Sequence, residues 1–239
     1  MDTQTDFVER VYLMQVAAGP PPANTPVVCY LVQTKLGRNI LIDSGLPDPA
    51  HLPAGMPELS MGPNVIEQLT QIGLQSDDID TLVCTHFDMD HSGQHAAFPQ
   101  AEFVVQRAHY EHARTHPRYT NARPHWDRAE LRYRLIDGDT ELLPGMELIE
   151  SSGHVPGHQA VLLRLPKTGS LLLTIDAVPD QGSFTPDRQG GQRDLDAVGA
   201  IAATHKLLDL AARAQVAFVI FGHDGAQWAT LRKAPAYYS

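Results

Sequence analysis

Four potential metal ligands fall within six residues of the short segment Thr85–Gly93. The segment reads THFDMDHSG and offers His86, Asp88, Asp90 and His91. A divalent ion requires several lone-pair donors within about 2.0–2.2 Å of its centre, and a turn that leaves a strand can aim them at one point. Phe87 and Met89, which alternate with the ligands, can point into the core and brace the turn. A charged surface turn is the alternative, but such turns seldom interleave ligands with large apolar residues, so the pattern favours a metal site.

Three further candidate ligands occur at similar junctions downstream. His154 lies in the tight loop SGHVPGH, Asp176 ends the apolar run LLLTID, and His223 ends VAFVIFGH. Each follows a predicted strand or lies between two strands, where functional sites of layered α/β folds collect. Taken singly, His154 or His223 could be a core histidine with satisfied hydrogen bonds. Together with the first cluster, the three supply the ligands that two metals need, whereas the neighbouring His158 is interpreted as structural.

Apolar runs of strand length must position these residues. They predict strands at Val11–Ala17, Val27–Gln33, Asn39–Asp43, Thr81–Thr85, Glu102–Gln106, Glu147–Ser151, Ala160–Leu165, Ser170–Ile175 and Val216–Phe221. The run before His86 is almost fully apolar, as expected of a buried strand. Both halves of the chain run from strands through a polar loop to a helix. This order suggests two sheets packed face to face with helices outside.

Two segments have the apolar spacing of a helix. They are Asn64–Leu74 and Asp194–Arg213. In the second, Asp194 is the predicted N-cap. Its predicted apolar face consists of Val198, Ile201 and Leu208.

Two other segments lack a continuous apolar period. Ala108–Asp127 is rich in histidine and arginine: His109, His112, His116, His125, Arg114, Arg118 and Arg123. It is interpreted as a lid or substrate-facing insertion over the metals, and a solvated helix and loop is the alternative. Gln181–Gln192 is predicted to be a Gly-rich loop.

The order of these motifs resembles that of the metallo-β-lactamase superfamily. The hallmark of that superfamily is His-x-His-x-Asp-His followed by a distant His, an Asp and a last His. Within it, the chain is similar to the N-acyl-homoserine lactonase family. The supporting segments run across nearly the whole chain: NILIDSG, THFDMDHSG, AEFVVQRAHYE, DGDTELLPGMELIESSGHVPGHQ, LLLTIDAV and FGHDGAQWATLRKAPAYY.

The resemblance implies an αββα sandwich, an α/β fold of four layers, formed by residues 1–239 as a single domain. It implies two divalent metal ions, zinc in most of the family. One ion would be bound by His86, Asp88 and His154, and the second by Asp90, His91 and His223. Asp176 would bridge the two ions, and Asp43 would orient ligands from outside the metal site.

Two residues depart from the family pattern. Asp88 stands where the family motif has its second histidine, although flavodiiron proteins of the same superfold carry a carboxylate there. Three carboxylates would make the loaded site neutral, and would favour iron or manganese relative to zinc. Pro179 stands three residues after Asp176, where the lactonases place a tyrosine that helps to hold the substrate carbonyl.

The resemblance implies hydrolysis of a lactone or similar ester by a metal-bridging hydroxide. Asp90 and Asp176 are then the candidate catalytic residues, with Asp90 shuttling a proton to the leaving group. Two alternatives to a hydrolase belong to other functional classes. The carboxylate at Asp88 suggests a di-iron redox protein, and loss of turnover through Asp88 and Pro179 would leave a non-catalytic protein that senses a ligand.

Composition narrows the partners and the location. The 239 residues are 43% hydrophobic and carry a net charge of −10, which disfavours nucleic acid as a partner. The N-terminal MDTQTDFVER lacks the features of a signal peptide, and no apolar run approaches the length of a membrane span. Cys29 and Cys84 are expected to be buried thiols. The expectations are therefore a small-molecule substrate, no membrane partner, a cytoplasmic location and a possible homodimer.

Overall fold

Two β-sheets and the helices that cover them make up the described part of the chain. The computed structural model describes residues 5–54 and 58–239. The strands in chain order are β1 (Val8–Ala18), β2 (Pro26–Thr34), β3 (Asn39–Ile42), β4 (Ser60–Met61), β5 (Thr81–Val83), β6 (Glu102–Gln106), β7 (Arg132–Ile136), β8 (Thr140–Leu143), β9 (Met146–Glu150), β10 (Gln159–Leu165), β11 (Gly169–Ile175), β12 (Phe218–Phe221) and β13 (Tyr237–Tyr238). The helices are α1 (Val65–Gln71), α2 (Met89–Ser92), α3 (Arg107–Thr115), α4 (Arg123–Trp126), α5 (Ala197–Arg213) and α6 (Gly225–Trp228).

The strands form one sheet from the first half of the chain and one from the second. The first sheet has the order β13-β1-β2-β3-β5-β6-β7, with β4 beside β1, and the second has the order β12-β11-β10-β9-β8. Strands β3, β5, β6 and β7 are mutually parallel, as are β11 and β12. Because the carboxyl ends of parallel strands meet at one edge of a sheet, the residues that follow them collect there.

Alternation along the strands sorts side chains into apolar layers. On β2, Cys29 and Leu31 join the cluster that packs against Leu69 of α1, whereas Val28 and Tyr30 point to the second sheet. The period of two along a strand places successive side chains on opposite faces, so one strand contributes to both layers.

The outer face of the second sheet has its own apolar layer. Leu162 and Leu172 on this face pack against Leu207 of α5. The three apolar clusters lie under α1, between the sheets and under α5. They separate four layers of secondary structure in the order helix, sheet, sheet, helix. The predicted αββα sandwich is confirmed.

Helix α5 differs from its prediction at its start. Its N-cap is Asp196, which accepts hydrogen bonds from the backbone N–H of Val198 and Gly199 at 3.0 Å each, so the prediction of Asp194 was wrong. Val198 is 77% exposed, because it lies on the side of the helix opposite the buried residues. The buried face consists of Ala200, Ala203, Thr204 and Leu207.

The segment Ala108–Asp127 packs onto the fold, which differs from the alternative of a solvated helix and loop. It consists of most of α3, a short 3₁₀ turn at Pro117–Tyr119 and helix α4. Tyr119 and Trp126 are fully buried in the core and anchor it. Ala113 and Ala122 are buried in the same cluster, and Tyr110 packs against it. The high content of histidine and arginine obscured these apolar positions in the sequence.

Two further expectations from the sequence concern the cysteine thiols and membrane-spanning segments. Cys29 and Cys84 are free and buried, as expected. Among the helices of the described residues, none combines the length and apolarity that crossing a bilayer demands.

Candidate metal centre

The turn after β5 begins the candidate site. Phe87 is fully buried and stacks on Trp126 with ring centroids 4.0 Å apart and planes 8° apart, while Met89 packs partly buried against the same core. These contacts brace the turn as predicted. His91 lies on α2, the short helix that begins at Met89, and His86 precedes it in the extended part of the turn.

The first group of ligands, named here the Asp88 subsite, consists of His86, Asp88 and His154. Asp88 Oδ2 lies 3.5 Å from His86 Nε2 and 3.3 Å from His154 Nε2. The two imidazoles are almost fully buried, whereas Asp88 keeps 18% of its side chain exposed. His154 reaches the group from the loop between β9 and β10, so this subsite joins the two sheets.

The second group, named here the Asp90 subsite, consists of Asp90, His91 and His223. Asp90 Oδ2 lies 3.7 Å from His91 Nε2 and 3.9 Å from His223 Nε2. His223 follows β12, so this subsite also draws on both sheets. Asp90 is the more open member, with 31% of its side chain exposed.

Asp176 lies between the subsites and its carboxylate contacts imidazoles of both, since Oδ2 lies 3.1 Å from His223 Nε2 and also faces His154. Its Oδ1 is 3.3 Å from His91 Nε2 and 3.1 Å from His223 Nε2, and its Oδ2 is 3.5 Å from His154 Nε2. The preceding Ile175 has φ of 53°, a left-handed conformation that is costly for a β-branched residue. Such strain persists where surrounding structure enforces it, and here it turns Asp176 toward the two subsites.

The donor set fits divalent ions. His86 Nε2, His91 Nε2 and Asp176 Oδ1 are buried and have other ligand atoms 3.1–3.8 Å away, but none of these contacts among the described residues has the geometry of a hydrogen bond. Buried polar atoms normally have partners, so these three point to a ligand. Tetrahedral coordination at about 2.0 Å places neighbouring ligand atoms ~3.3 Å apart, close to the separations observed. The structure therefore brings all seven predicted side chains into a binuclear arrangement.

Outer hydrogen bonds fix the imidazole orientations. Asp43 Oδ2 lies 2.8 Å from His91 Nδ1, and the same carboxylate accepts from Thr85 N and Oγ1. The Nδ1 atom of His223 lies 2.9 Å from the carbonyl oxygen of Pro26. These partners leave the Nε2 atoms free to face an ion, which is the usual design of a metal-binding histidine.

His154 is oriented by a buried ion pair. Its Nδ1 lies 3.5 Å from Asp194 Oδ1, and Asp194 Oδ2 lies 3.2 Å from Arg188 Nη2. Asp194, predicted as a helix cap, therefore serves the metal site instead. The side chains of Arg188 and Asp194 are each only 4% exposed, so the pair is held firmly.

Burial and charge shift the pKa values of the ligands in opposite directions. Burial, with the charge of His91, lowers the pKa of His86 to about 3, so its lone pair is free at neutral pH. Burial opposes the charged form of His154, but hydrogen bonds with Asp194 and Asp88 raise its pKa to about 9. An ion that enters the Asp88 subsite must therefore displace a proton, as metal binding commonly does.

Arg118 also reaches the Asp88 subsite. Its Nε donates to Asp88 Oδ1 at 2.7 Å and its Nη2 to Asp88 Oδ2 at 2.5 Å. Burial alone would raise the pKa of the Asp88 carboxyl, but the bonds from Arg118, His154 and His86 hold it well below its usual range. The expectation about the charge of the site omitted this guanidinium, whose positive charge balances that of Asp88.

A cavity of about 330 Å³ opens beside the ligands. It is bordered by His154, Asp176 and His223, and by Pro179, which follows β11. The predicted Gly-rich loop supplies much of the remaining wall through Ser183, Gln189, Gly191 and Gln192. A substrate in this cavity would lie directly against both subsites.

Comparison with known proteins places the chain in a family. The model of the metallo-β-lactamase superfamily matches residues 23–223. The N-acyl homoserine lactonase AiiA of Bacillus thuringiensis subsp. kurstaki is 31% identical over 227 residues, which cover 90% of this chain and 87% of that protein. The N-acyl homoserine lactonase AttM of Azorhizobium caulinodans is 31% identical over 235 residues, with 89% and 87% covered. The chain belongs to the metallo-β-lactamase superfamily, in the family of the N-acyl homoserine lactonases.

A solved structure of this family agrees with the fold described above. It is an N-acyl homoserine lactone hydrolase with the product N-hexanoyl-L-homoserine bound at its catalytic metal centre. It superimposes with a TM-score of 0.85 at 26% identity and covers 97% of this chain and all of its own. The resemblance inferred from the motifs is confirmed.

Sequence reasoning missed four residues that serve the site. Arg188, which pairs with Asp194, lay unmarked in the predicted Gly-rich loop. Arg118 and His109 lay within a segment rich in both residue types, so no spacing distinguished them. Thr85 was visible only as the end of a strand. One signal was available for Arg118, because a carboxylate buried beside metal ligands needs a cation nearby.

Proposed function

We propose that this protein is a metal-dependent hydrolase that opens a lactone or a closely related ester. The proposal rests on Asp176, whose two oxygens face two groups of imidazole and carboxylate donors beside a cavity. Bound divalent ions supply Lewis acidity, which lowers the pKa of water and polarises a carbonyl oxygen. The names of the relatives support a lactone as the substrate class.

The chemistry requires water to add across one ester bond. The oxygen of water bonds to the carbonyl carbon, the bond between that carbon and the ring oxygen breaks, and the ring oxygen takes a proton. In this proposal Asp90 holds and delivers this proton, and the role is supported by its place among the candidate ligands and its exposed fraction of 31%. The product is a hydroxy acid, which releases a proton at neutral pH.

The cavity favours a substrate of modest size. Its 330 Å³ lies at the lower end of the roughly 300–1,000 Å³ of small-molecule sites. Pro179 offers no hydroxyl to the substrate carbonyl, so the enzyme lacks one contact that the lactonase resemblance implies. We therefore expect a preference for short acyl chains or for lactones that need no such contact.

The test combines elemental analysis with a pH-indicator screen. The panel contains N-acyl homoserine lactones of increasing chain length, lactones without an amide, and open-chain esters. We expect hydrolysis of at least one lactone class by protein that contains zinc, iron or manganese. Zinc is expected from the family, whereas the oxygen-rich donor set favours iron or manganese.

A variant pair separates catalysis from folding. Asp90→Asn should lower kcat by roughly 10²- to 10⁴-fold, because the amide cannot carry the proton. Asp187→Asn is the control, since Asp187 is exposed and does not border the ligands. If metal-loaded protein hydrolyses nothing in the panel, the proposal is rejected. Thermal stabilisation by a lactone without product would then favour a ligand-sensing protein, and iron-dependent colour with oxygen consumption would favour the redox alternative.

Two further expectations remain predictions from the sequence. They are the cytoplasmic location and the homodimer. Gel filtration coupled to light scattering tests the second.

A further inference from the structure

We propose that Arg118 is a built-in cation that competes with a divalent ion for the Asp88 subsite. The two subsites then fill unequally, with the Asp90 subsite occupied first. The inference rests on the metal site of the proposed function, and deepens it by assigning a regulatory residue to one of its halves.

The guanidinium of Arg118 engages the atoms that an ion in this subsite would use. It binds both oxygens of Asp88, at 2.7 and 2.5 Å, in the bidentate geometry that matches a carboxylate. Its Nη2 also lies 3.1 Å from His154 Nε2. A guanidinium and a divalent ion cannot both occupy the space between these three atoms.

The charge on residue 88 explains why a guanidinium belongs here. A neutral imidazole in this position would have no attraction for an arginine, whereas a largely buried carboxylate requires a cation. Arginine keeps its charge at every accessible pH and matches the two oxygens geometrically. Asp88 and Arg118 therefore form a pair that is satisfied before any ion arrives.

The Asp90 subsite has no such occupant. Among the described residues, the ion pairs of Asp90 involve only the imidazoles of His91 and His223, and no arginine or lysine. An ion that enters this subsite therefore meets no competing arginine or lysine side chain among the described residues. This asymmetry is the reason for ordered filling.

Local structure both holds Arg118 in place and permits its release. It lies in the 3₁₀ turn Pro117–Tyr119, whose N-cap His116 accepts from the backbone N–H of Arg118, and Tyr119 buries the end of the turn. The side chain itself is 23% exposed, so it has a route to solvent when an ion displaces it.

Release of Arg118 from Asp88 would also change a contact at the wall of the substrate cavity. Its Nη1 donates to the carbonyl oxygen of Arg193 at 3.2 Å, and Arg193 lines that cavity. An ion that displaces the guanidinium breaks this contact. Occupancy of the Asp88 subsite is therefore linked to the wall of the cavity.

The test measures ion stoichiometry of the full-length chain, not activity. Protein is dialysed against chelator-buffered Zn²⁺ or Mn²⁺ at stepped free concentrations, and bound ion is counted by elemental analysis. We expect the wild-type protein to bind one ion tightly and a second about 10- to 100-fold more weakly. Arg118→Met, which keeps most of the apolar stem but removes the guanidinium and its charge, should tighten the second step toward the first.

Two more variants serve as controls. Arg114→Met removes an arginine that is 55% exposed and pairs with Asp127, and should leave both steps unchanged. Arg118→Lys keeps the charge but cannot form the two parallel hydrogen bonds of a guanidinium with a carboxylate. The affinity of its second binding step should therefore lie between those of the wild-type protein and Arg118→Met. This variant also covers the case in which Arg118→Met does not fold, as judged by circular dichroism.

A second arm replaces the carboxylate. Asp88→His alone removes the carboxylate that holds the guanidinium, so the second step should be tighter than in the wild-type protein. Asp88→His combined with Arg118→Met should bind two ions with similar affinity. The proposal is overturned if wild-type protein binds both ions with one affinity, or if Arg118→Met weakens the second step. Stepwise ion uptake without hydrolysis would reject the proposed function and leave this inference standing.

Discussion

Residue 88 shows how one side chain changes the demands on its neighbours. A histidine there would be a neutral ligand that requires no charged partner. Asp88 is a largely buried anion, and both of its carboxylate oxygens accept hydrogen bonds from Arg118. The exchange adds one negative and one positive charge. The net charge of the site is thus preserved while its affinity for a second ion is made adjustable.

Asp43 gives a prediction at the same scale. Its two oxygens accept from Thr85 N, Thr85 Oγ1 and His91 Nδ1, and its φ of 57° is one that asparagine also adopts readily. Asp43→Asn keeps the backbone but cannot accept all three bonds, because one oxygen becomes an NH₂ group. We expect ion affinity to fall about 10- to 100-fold, measured by competition with a chromophoric chelator.

Asp80→Asn is the matched control for this substitution. Asp80 accepts from the backbone N–H of Asn39 at the other end of β3, away from the ligands. It should leave ion affinity unchanged. Equal affinities for the two variants would show that Asp43 does not orient His91.

At the scale of elements, helix α3 ties the two ligand loops together through one side chain. His109 Nε2 accepts from the backbone N–H of Phe87, and its Nδ1 lies 2.8 Å from the carbonyl oxygen of Pro156. The first loop carries His86 and Asp88, and the second carries His154. A helix that binds both loops fixes their distance, which ion coordination requires.

His109 also makes the fold sensitive to acid. Burial lowers its pKa to about 4, although the bond to Pro156 opposes this, whereas an unfolded histidine titrates near ~6.5. The folded pKa is the lower one, so the stability from neutral His109 is complete above about pH 6.5 and is lost as the pH falls toward about 4. His109→Gln should cost about 1–3 kcal/mol at pH 7 and lose less of its remaining stability between pH 7 and pH 5.

Thermal melts at both pH values measure this effect. His205→Gln is the control, because His205 is an exposed residue of α5 whose imidazole contacts only a backbone carbonyl. Both variants are melted after removal of metal with a chelator, so that ion-linked effects of pH do not enter the comparison. An unchanged difference between pH 7 and pH 5 in His109→Gln would argue against this role.

For the whole molecule, the ligands come from two sheets that pack face to face. His86, Asp88, Asp90 and His91 follow β5 of the first sheet, whereas His154, Asp176 and His223 follow strands of the second. A bound ion therefore links the two halves directly. An ion that binds only the folded chain stabilises it by mass action.

This linkage predicts a large effect of metal removal. At free ion 100 times the dissociation constant, the gain is about 2.7 kcal/mol, which corresponds to roughly 5–10 °C in Tm for a chain of this size. Chelation should lower Tm by this amount, and re-addition of the ion should restore it. If elemental analysis confirms removal and Tm does not move, the ligands do not join the halves.

The sequence by itself determined the architecture and the candidate ligands, because both depend on local pattern. Alternation along β2 fixes which side chains face which layer, and strand ends place chemistry-bearing residues at an edge. The start of α5 was predicted wrongly, because Asp194 and Asp196 are equally good caps in isolation. Only the tertiary contact with His154 assigned Asp194 to the site.

The tertiary structure alone decided the charge balance of the site. Arg118 is 30 positions from Asp88, and nothing in its own segment separates it from Arg114 or Arg123. Its role exists because the turn after α3 folds over the end of β5 and brings a cation to a buried anion. Local propensity carries no information about such pairs, since the electrostatic energy depends on distance in space and on burial, and both arise only when the chain is folded.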